Sequence, residues 1–80
     1  PPTVTRKMTA VASRAVATLV EGEVQVMARR ENSWNSLKAN AILQVGDKVR
    51  VLDKGRLELV LDNRSVLRLA ANSSLELREV

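Results

Sequence analysis

Three turn signals begin nine residues apart in the second half of the chain, at Asp53, Asp62 and Ala71, and leucines occupy alternate positions between them. Leu57, Leu59 and Leu61 alternate with Glu58 and Val60, Leu67 and Leu69 flank Arg68, and Leu75 and Leu77 flank Glu76. Strand side chains point to opposite faces with a period of two, so this alternation buries one face of each segment and wets the other. A strand of about five or six residues plus a short turn fills the spacing. Several short strands at such intervals specify an all-β fold in a single small domain. Two arrangements satisfy the pattern. One is an antiparallel meander closed into a small sandwich or barrel; the other is a roll or solenoid-like stack.

Upstream the same grammar continues from Ala15. Leu19-Val20, then Val24 and Val26 alternating with Glu23, Gln25 and Met27, read as two strands hinged at Gly22; a glycine inside a strand pattern marks a bulge or bend. The polar run RRENSWNS at 29–36 reads as a loop carrying Trp34, and Leu37 to Val45 as a short strand turning at Gly46-Asp47. Val49 and Val51 alternate with Lys48 and Arg50, and Asp53-Lys54-Gly55 reads as a hairpin-type turn. Gly46 and Gly55 are expected to need positive φ or close packing, and Asn63 and Asn72 to serve turns because asparagine tolerates left-handed backbone. Asp47, Asp53 and Asp62 sit where aspartate commonly bonds the local backbone. The expected core is Val24, Val26, Ile42, Val49, Val51, Leu57, Leu59, Leu67, Leu69 and Leu75.

Residues 1–14 break the pattern. Two prolines, threonines and basic residues without a clean period read as a linker or flexible arm, leaving 15–80 as the β domain. Ala, Met and Arg over 6–17 favour a short helix there, which Val11 and Val16 oppose. The opening Pro1-Pro2 reads as a processed product or a piece of something longer. No apolar stretch is long enough to span a bilayer, and no signal-peptide core follows the early charges.

Composition removes most chemistry. The chain has no histidine and no cysteine, so the usual nucleophile–base pairs and zinc sites are not available. Three isolated glycines build no phosphate loop. The expectation is a non-enzymatic domain with no cofactor. The net charge of +4 is concentrated near the start: Arg6, Lys7 and Arg14 face no acid before residue 20, whereas ten bases face nine acids from 20 to 80. With one Trp and no Phe or Tyr, the stacking platforms of single-strand nucleic-acid binders cannot be built, so nucleic acid is disfavoured as a partner. Trp34 reads either as a lid on the core or as an interface anchor, since Trp is enriched at binding hot spots. Arg29-Arg30, with Arg6 and Lys7, would meet an acidic partner.

From Ala15 to Leu77 the chain resembles a FecR-type domain through an ordered string of short features. Val20-Glu21-Gly22-Glu23-Val24-Gln25-Val26 matches a "v-x-G-x-V-x-V" opening, and Leu43 with Gly46-Asp47 and Val49 matches "L-x-x-G-D-x-V". Gly55-Arg56-Leu57-Glu58-Leu59 follows as a glycine turn and strand. Asp62-Asn63-Arg64-Ser65-Val66-Leu67-Arg68-Leu69 stands for "D-G-S-x-L-x-L", and Asn72-Ser73-Ser74-Leu75-Glu76-Leu77 for "N-S-x-L-x-L". Asn63-Arg64 replaces the usual single glycine, and Val51 stands where the family often has Thr. The resemblance implies a bacterial, envelope-facing protein–protein module. The best-known members are inner-membrane signal transducers whose periplasmic part binds an outer-membrane transporter.

The resulting expectation is a periplasmic or cell-envelope interaction domain. It would be a subunit of a larger assembly or the periplasmic part of a signal transducer, with protein partners. Two alternatives stand beside it. One is a peptidoglycan or polysaccharide binder using Arg29, Arg30, Lys38 and Arg50; the other is a small-barrel nucleic-acid binder.

Overall fold

The computed structural model describes residues 3–4 and 7–79, with side chains from Lys7 onward. The chain is all-β. Its strands are β1 (Thr3–Val4), β2 (Lys7–Val11), β3 (Arg14–Glu21), β4 (Val24–Met27), β5 (Asn35–Ser36), β6 (Ile42–Gln44), β7 (Lys48–Val51), β8 (Arg56–Leu61), β9 (Val66–Leu69) and β10 (Ser73–Arg78). They form two five-stranded sheets, ordered β1-β9-β8-β3-β6 and β2-β10-β7-β4-β5. The chain forms two sheets around one core, but not as the antiparallel meander expected: β7–β8 and β9–β10 change sheets, and β1 and β2 pair in parallel with β9 and β10.

The leucine alternation is what holds the sheets together. Leu57, Leu59 and Leu61 of β8, Leu69 of β9 and Leu43 of β6 bury from one sheet; Val24, Val49, Val51, Leu75 and Leu77 bury from the other. Ala10, Ala12, Ala15 and Ala17, each at most 6% exposed, complete the core, with Ala15 and Ala17 beside Leu61 and Leu59 in the same sheet. Leu37 also joins the core, while Val26 and Leu67 pack against it partly buried. Ile42 does not: at 58% exposed it points outward, and its neighbour Leu43 takes the inward place. Strand β6 lies at a sheet edge and pairs Leu43 with Ala15 and Ile42 with Val16, which fixes that phase.

The arm expected over residues 1–14 is corrected from Lys7 onward. Lys7–Val11 is a strand, not a helix or a free segment, and it runs parallel to β10 from Lys7↔Ser74 to Val11↔Arg78. Thr3–Val4 pairs in the same sense with β9. The first strands thus track the last two from one sheet to the other. Ala12 N–H donates to Arg78 C=O at 3.0 Å, and Arg14 already belongs to β3. The helix propensity of Ala and Met was overridden because only an extended segment satisfies the open edge of β10.

The turns spaced by nine residues are of two kinds. Only Asp62–Ser65 closes a hairpin, between β8 and β9. There Asn63 Oδ1 accepts from Ser65 N–H at 2.9 Å, while Arg64 rather than Asn63 takes the left-handed conformation, with φ 70°. The turns at Asp53 and Ala71 instead carry the chain from one sheet to the other, β7 to β8 and β9 to β10. The hairpin expected at Asp53-Lys54-Gly55 is therefore a corner, with Lys54 left-handed at φ 66°. Asn72 serves the other corner with φ 65°, as expected for asparagine.

Two corners meet backbone to backbone. A Cβ on Gly22 would lie 2.9 Å from Gly55 Cα and from Lys54 O, and a Cβ on Gly55 would lie 2.9 Å from Glu23 O. Leu52 N–H donates to Glu23 C=O at 3.0 Å across this contact. Gly55 is required by proximity and not by its φ, whereas Gly22 and Gly46 both have positive φ.

Candidate functional site

The outward face of the β2-β10-β7-β4-β5 sheet follows from the same alternation that built its core. With Val49 and Val51 turned inward on β7, Lys48 and Arg50 must point out; with Leu75 and Leu77 inward on β10, Ser74 and Glu76 point out. Register then brings these residues side by side. Arg50 stands opposite Gln25 on β4 and Ser74 on β10, and Lys48 stands opposite Met27 and Glu76. Ser74 and Glu76 in turn face Lys7 and Thr9 of β2.

Trp34 enters from the loop between β4 and β5, immediately before β5, whose pairing Asn35↔Val26 ties the loop to the sheet. The Arg50 guanidinium carbon lies 4.2 Å from the centroid of the Trp34 ring. Arg50 Nε donates to Gln25 Oε1 at 2.7 Å, which holds the guanidinium over the indole. Such a contact contributes about 0.5–1 kcal/mol at a partly exposed site and, more usefully here, fixes both side chains in advance of binding.

Between Trp34 and Met27 on one side and Lys7, Met8 and Thr9 on the other runs a groove of about 370 Å³, floored by Lys48, Arg50, Ser74 and Glu76. Its charged lining is Lys7, Lys48 and Arg50 against the single Glu76. Glu76 also has Arg78 at 3.9 Å. Two methionines, one tryptophan and three cations against one acid give the groove an apolar, polarisable lining of net positive charge.

The sequence-predicted site residues fall in different places. Trp34 and Lys7 both line this groove. Trp34 is half-buried and lines the groove together with the core residues Val49 and Leu75. Arg29 and Arg30 form an exposed turn and do not line the groove. Arg29 N–H donates to Asp47 Oδ1 at 3.0 Å, its side chain lies across Gly46, and it borders a separate hollow with Ser13, Arg14, Gln44, Val45 and Asp62. Arg6 lies outside the described residues. Sequence reasoning missed Met8, Met27, Lys48 and Glu76 as groove residues, and had Arg50 only as a contact in the glycan alternative. The signal for three of them was present: once Val49, Val51, Leu75 and Leu77 are inward, Lys48, Arg50 and Glu76 share the opposite face.

Asp47, Asp62 and Asn63 accept from backbone N–H groups, Asp62 from one forty-nine positions away, whereas Asn72 serves its corner through its left-handed backbone. Asp47 Oδ2 accepts from Gln44 N–H at 3.0 Å, which with Oδ1 ties the edge strand β6 to the Arg29 turn. Asp62 Oδ2 accepts from Ser13 N–H at 3.3 Å. Among the described residues no group of three or more acids is placed to hold a metal ion, and no helix is long and apolar enough to cross a membrane. No family model, curated protein or solved structure matches the chain.

Proposed function

We propose that this chain is a non-catalytic protein-interaction module of the bacterial cell envelope, related to FecR-type domains, that receives an extended acidic segment of a partner protein in the Trp34 groove. The observation that carries the reading is Arg50 fixed on Trp34 between two lysines. An aromatic and an arginine already locked in one geometry lose little freedom on binding, which is how a small patch gains affinity. The FecR-like string supports the envelope assignment, and its Gly46-Asp47 and Asn72-Ser73 pieces fall on turns that the fold uses. In this role the module is either a subunit of a larger assembly or the periplasmic portion of a signal transducer.

The test is affinity capture from bacterial envelope extracts with the native chain and with a Trp34→Ala/Arg50→Glu variant. One defined protein should be retained by the native chain, released as salt rises, and lost with the variant. Equal retention by both chains refutes the groove. Sedimentation of the native chain with purified peptidoglycan, or single-strand DNA binding at physiological salt, would replace the reading by a glycan or nucleic-acid one.

A further inference from the structure

The outer face of the other sheet carries a different chemistry. Register aligns Ile42 of β6 with Val16 of β3, Val16 with Val60 of β8, and Val60 with Val66 of β9. All four lie on the side away from the core, because Leu43, Ala15, Ala17, Leu59, Leu61 and Leu69 take the inward positions. Four β-branched aliphatic side chains therefore form one unbroken row across four strands, a span of about 14 Å at ordinary strand spacing. Val16, Val60 and Val66 are half-buried by their neighbours, and Ile42 is 58% exposed. A wet sheet face ordinarily reads polar; here the row of Gln44, Arg14 and Asp62 does, while the row through Glu58 and Arg68 also carries the exposed Leu19.

Those two rows differ in how far their polar groups are satisfied. On one side Glu58 is engaged by Arg68 Nε at 3.0 Å and by Thr18 Oγ1 at 3.1 Å, which closes that rim on itself. On the other side stand Gln44, Arg14 and Asp62, in that order across β6, β3 and the end of β8. Arg14 and Asp62 flank a hollow of about 210 Å³ over Val16, Ile42 and Val60. Among the described residues the Arg14 side chain makes no hydrogen bond or ion pair, and the Asp62 carboxylate accepts only a 3.3 Å bond from the backbone.

We propose that this face is the interface of a homodimer, in which two copies pack face to face about a two-fold axis parallel to β3 and β8. Rotation about that axis keeps height along the strands and reverses their lateral order, so β3 of one copy lies over β8 of the other. Val16 then meets Val60 of the second copy, Ile42 meets Val66, and Arg14 meets Asp62, each contact occurring twice. Of the in-plane two-fold axes, the one running along the apolar row would instead set Asp62 over Glu58, acid on acid. The patch is thus self-complementary in both apolar and charged rows, as an isologous interface requires. With extents of 30 × 30 × 22 Å, a whole sheet face is of the same order as the roughly 800 Å² per partner of a standard interface. The Trp34 groove lies on the opposite sheet, so the dimer leaves both copies' grooves open, and this inference stands apart from the groove's function.

The experiment is sedimentation velocity over a wide concentration range. The native chain should pass from monomer to dimer as concentration rises, and Val60→Lys should remain monomeric. Far-UV circular dichroism and melting verify that the outward-facing substitution leaves the fold intact. The decisive arm uses Arg14→Asp and Asp62→Arg as separate proteins. Each alone should dimerise at least about tenfold more weakly, a difference of about 1.4 kcal/mol. An equimolar mixture should recover a heterodimer, because opposite charges then meet across the axis. A native chain that stays monomeric at every concentration overturns the proposal. So does a Val60→Lys chain that still dimerises, or a mixture no tighter than its components.

Discussion

Replacing Leu59 by Ala probes the load on the centre of the sandwich. Leu59 is 0% exposed and sits on β8, the middle strand of its sheet, between Ala17 of β3 and Leu67 of β9. The neighbour on one side is already a small residue and belongs to a paired strand, so the surroundings cannot collapse into the vacated space. Leu-to-Ala costs of about 2.7–5.0 kcal/mol scale with the cavity that remains, and the poor prospect of collapse puts this site near 3–4 kcal/mol by that measure. Eighty residues at about 0.05–0.15 kcal/mol each hold roughly 4–12 kcal/mol in total, so about a quarter or more of the stability goes. With a urea m-value of about 1–1.5 kcal/mol/M for a domain this small, the midpoint falls by about 2–4 M. Trp34 emission and far-UV circular dichroism both follow the titration, at concentrations low enough to keep the chain monomeric. Ile42→Ala is the internal control, since at 58% exposure on an edge strand it should cost under about 1 kcal/mol. Near-native stability of Leu59→Ala, or an equal loss at Ile42, would falsify the assigned strand phase.

Further outcomes follow from the corners and edges. Gly46→Val should destabilise by more than about 1 kcal/mol in a thermal or urea melt, because φ of 94° is hostile to a β-branched residue; the Arg29 methylenes 2.6 Å from the added Cβ can swing away, so the backbone term dominates. An unchanged midpoint contradicts this. Asp47→Ala removes the acceptor for the Arg29 and Gln44 N–H groups and should cost about 1–3 kcal/mol, with Asp47→Asn intermediate; equal stability of all three chains would show the two bonds to be dispensable. Deleting residues 1–11 uncovers the edge of β10 and should both lower the melting midpoint and promote aggregation. A truncated chain that melts like the native one and stays dispersed would restore the arm reading.

Much of the fold was legible because leucine alternation leaves no ambiguity of phase: Leu57, Leu59, Leu69 and Leu75 bury as the period of two demands. What escaped had physical causes. Ala10, Ala12, Ala15 and Ala17 bury for their smallness, and alanine carries no hydrophobic signal strong enough to mark a strand. Ile42 and Leu43 are adjacent aliphatics, so the segment offers both phases, and only pairing with β3 decides between them. Corners and hairpins use the same residues, so Asp53 and Asp62 look alike in sequence, although one changes sheets and the other does not. The groove was half legible. Trp34 stood out as the lone aromatic, but its partner Arg50 is fixed by a cross-strand neighbour twenty-five positions away.

The parallel pairing of β2 with β10 also decides how the domain answers a pull. Their five register positions lie near opposite ends of the chain. Tension applied ahead of Lys7 and beyond Arg78 drags the two strands lengthwise past each other. The bonds between them are then strained together, not peeled one after another as in a hairpin opened from its free ends. Rupture under load follows the unfolding barrier and not the equilibrium stability. A domain with this pairing is therefore loaded in shear, not in peeling, when stretched between Lys7 and Arg78.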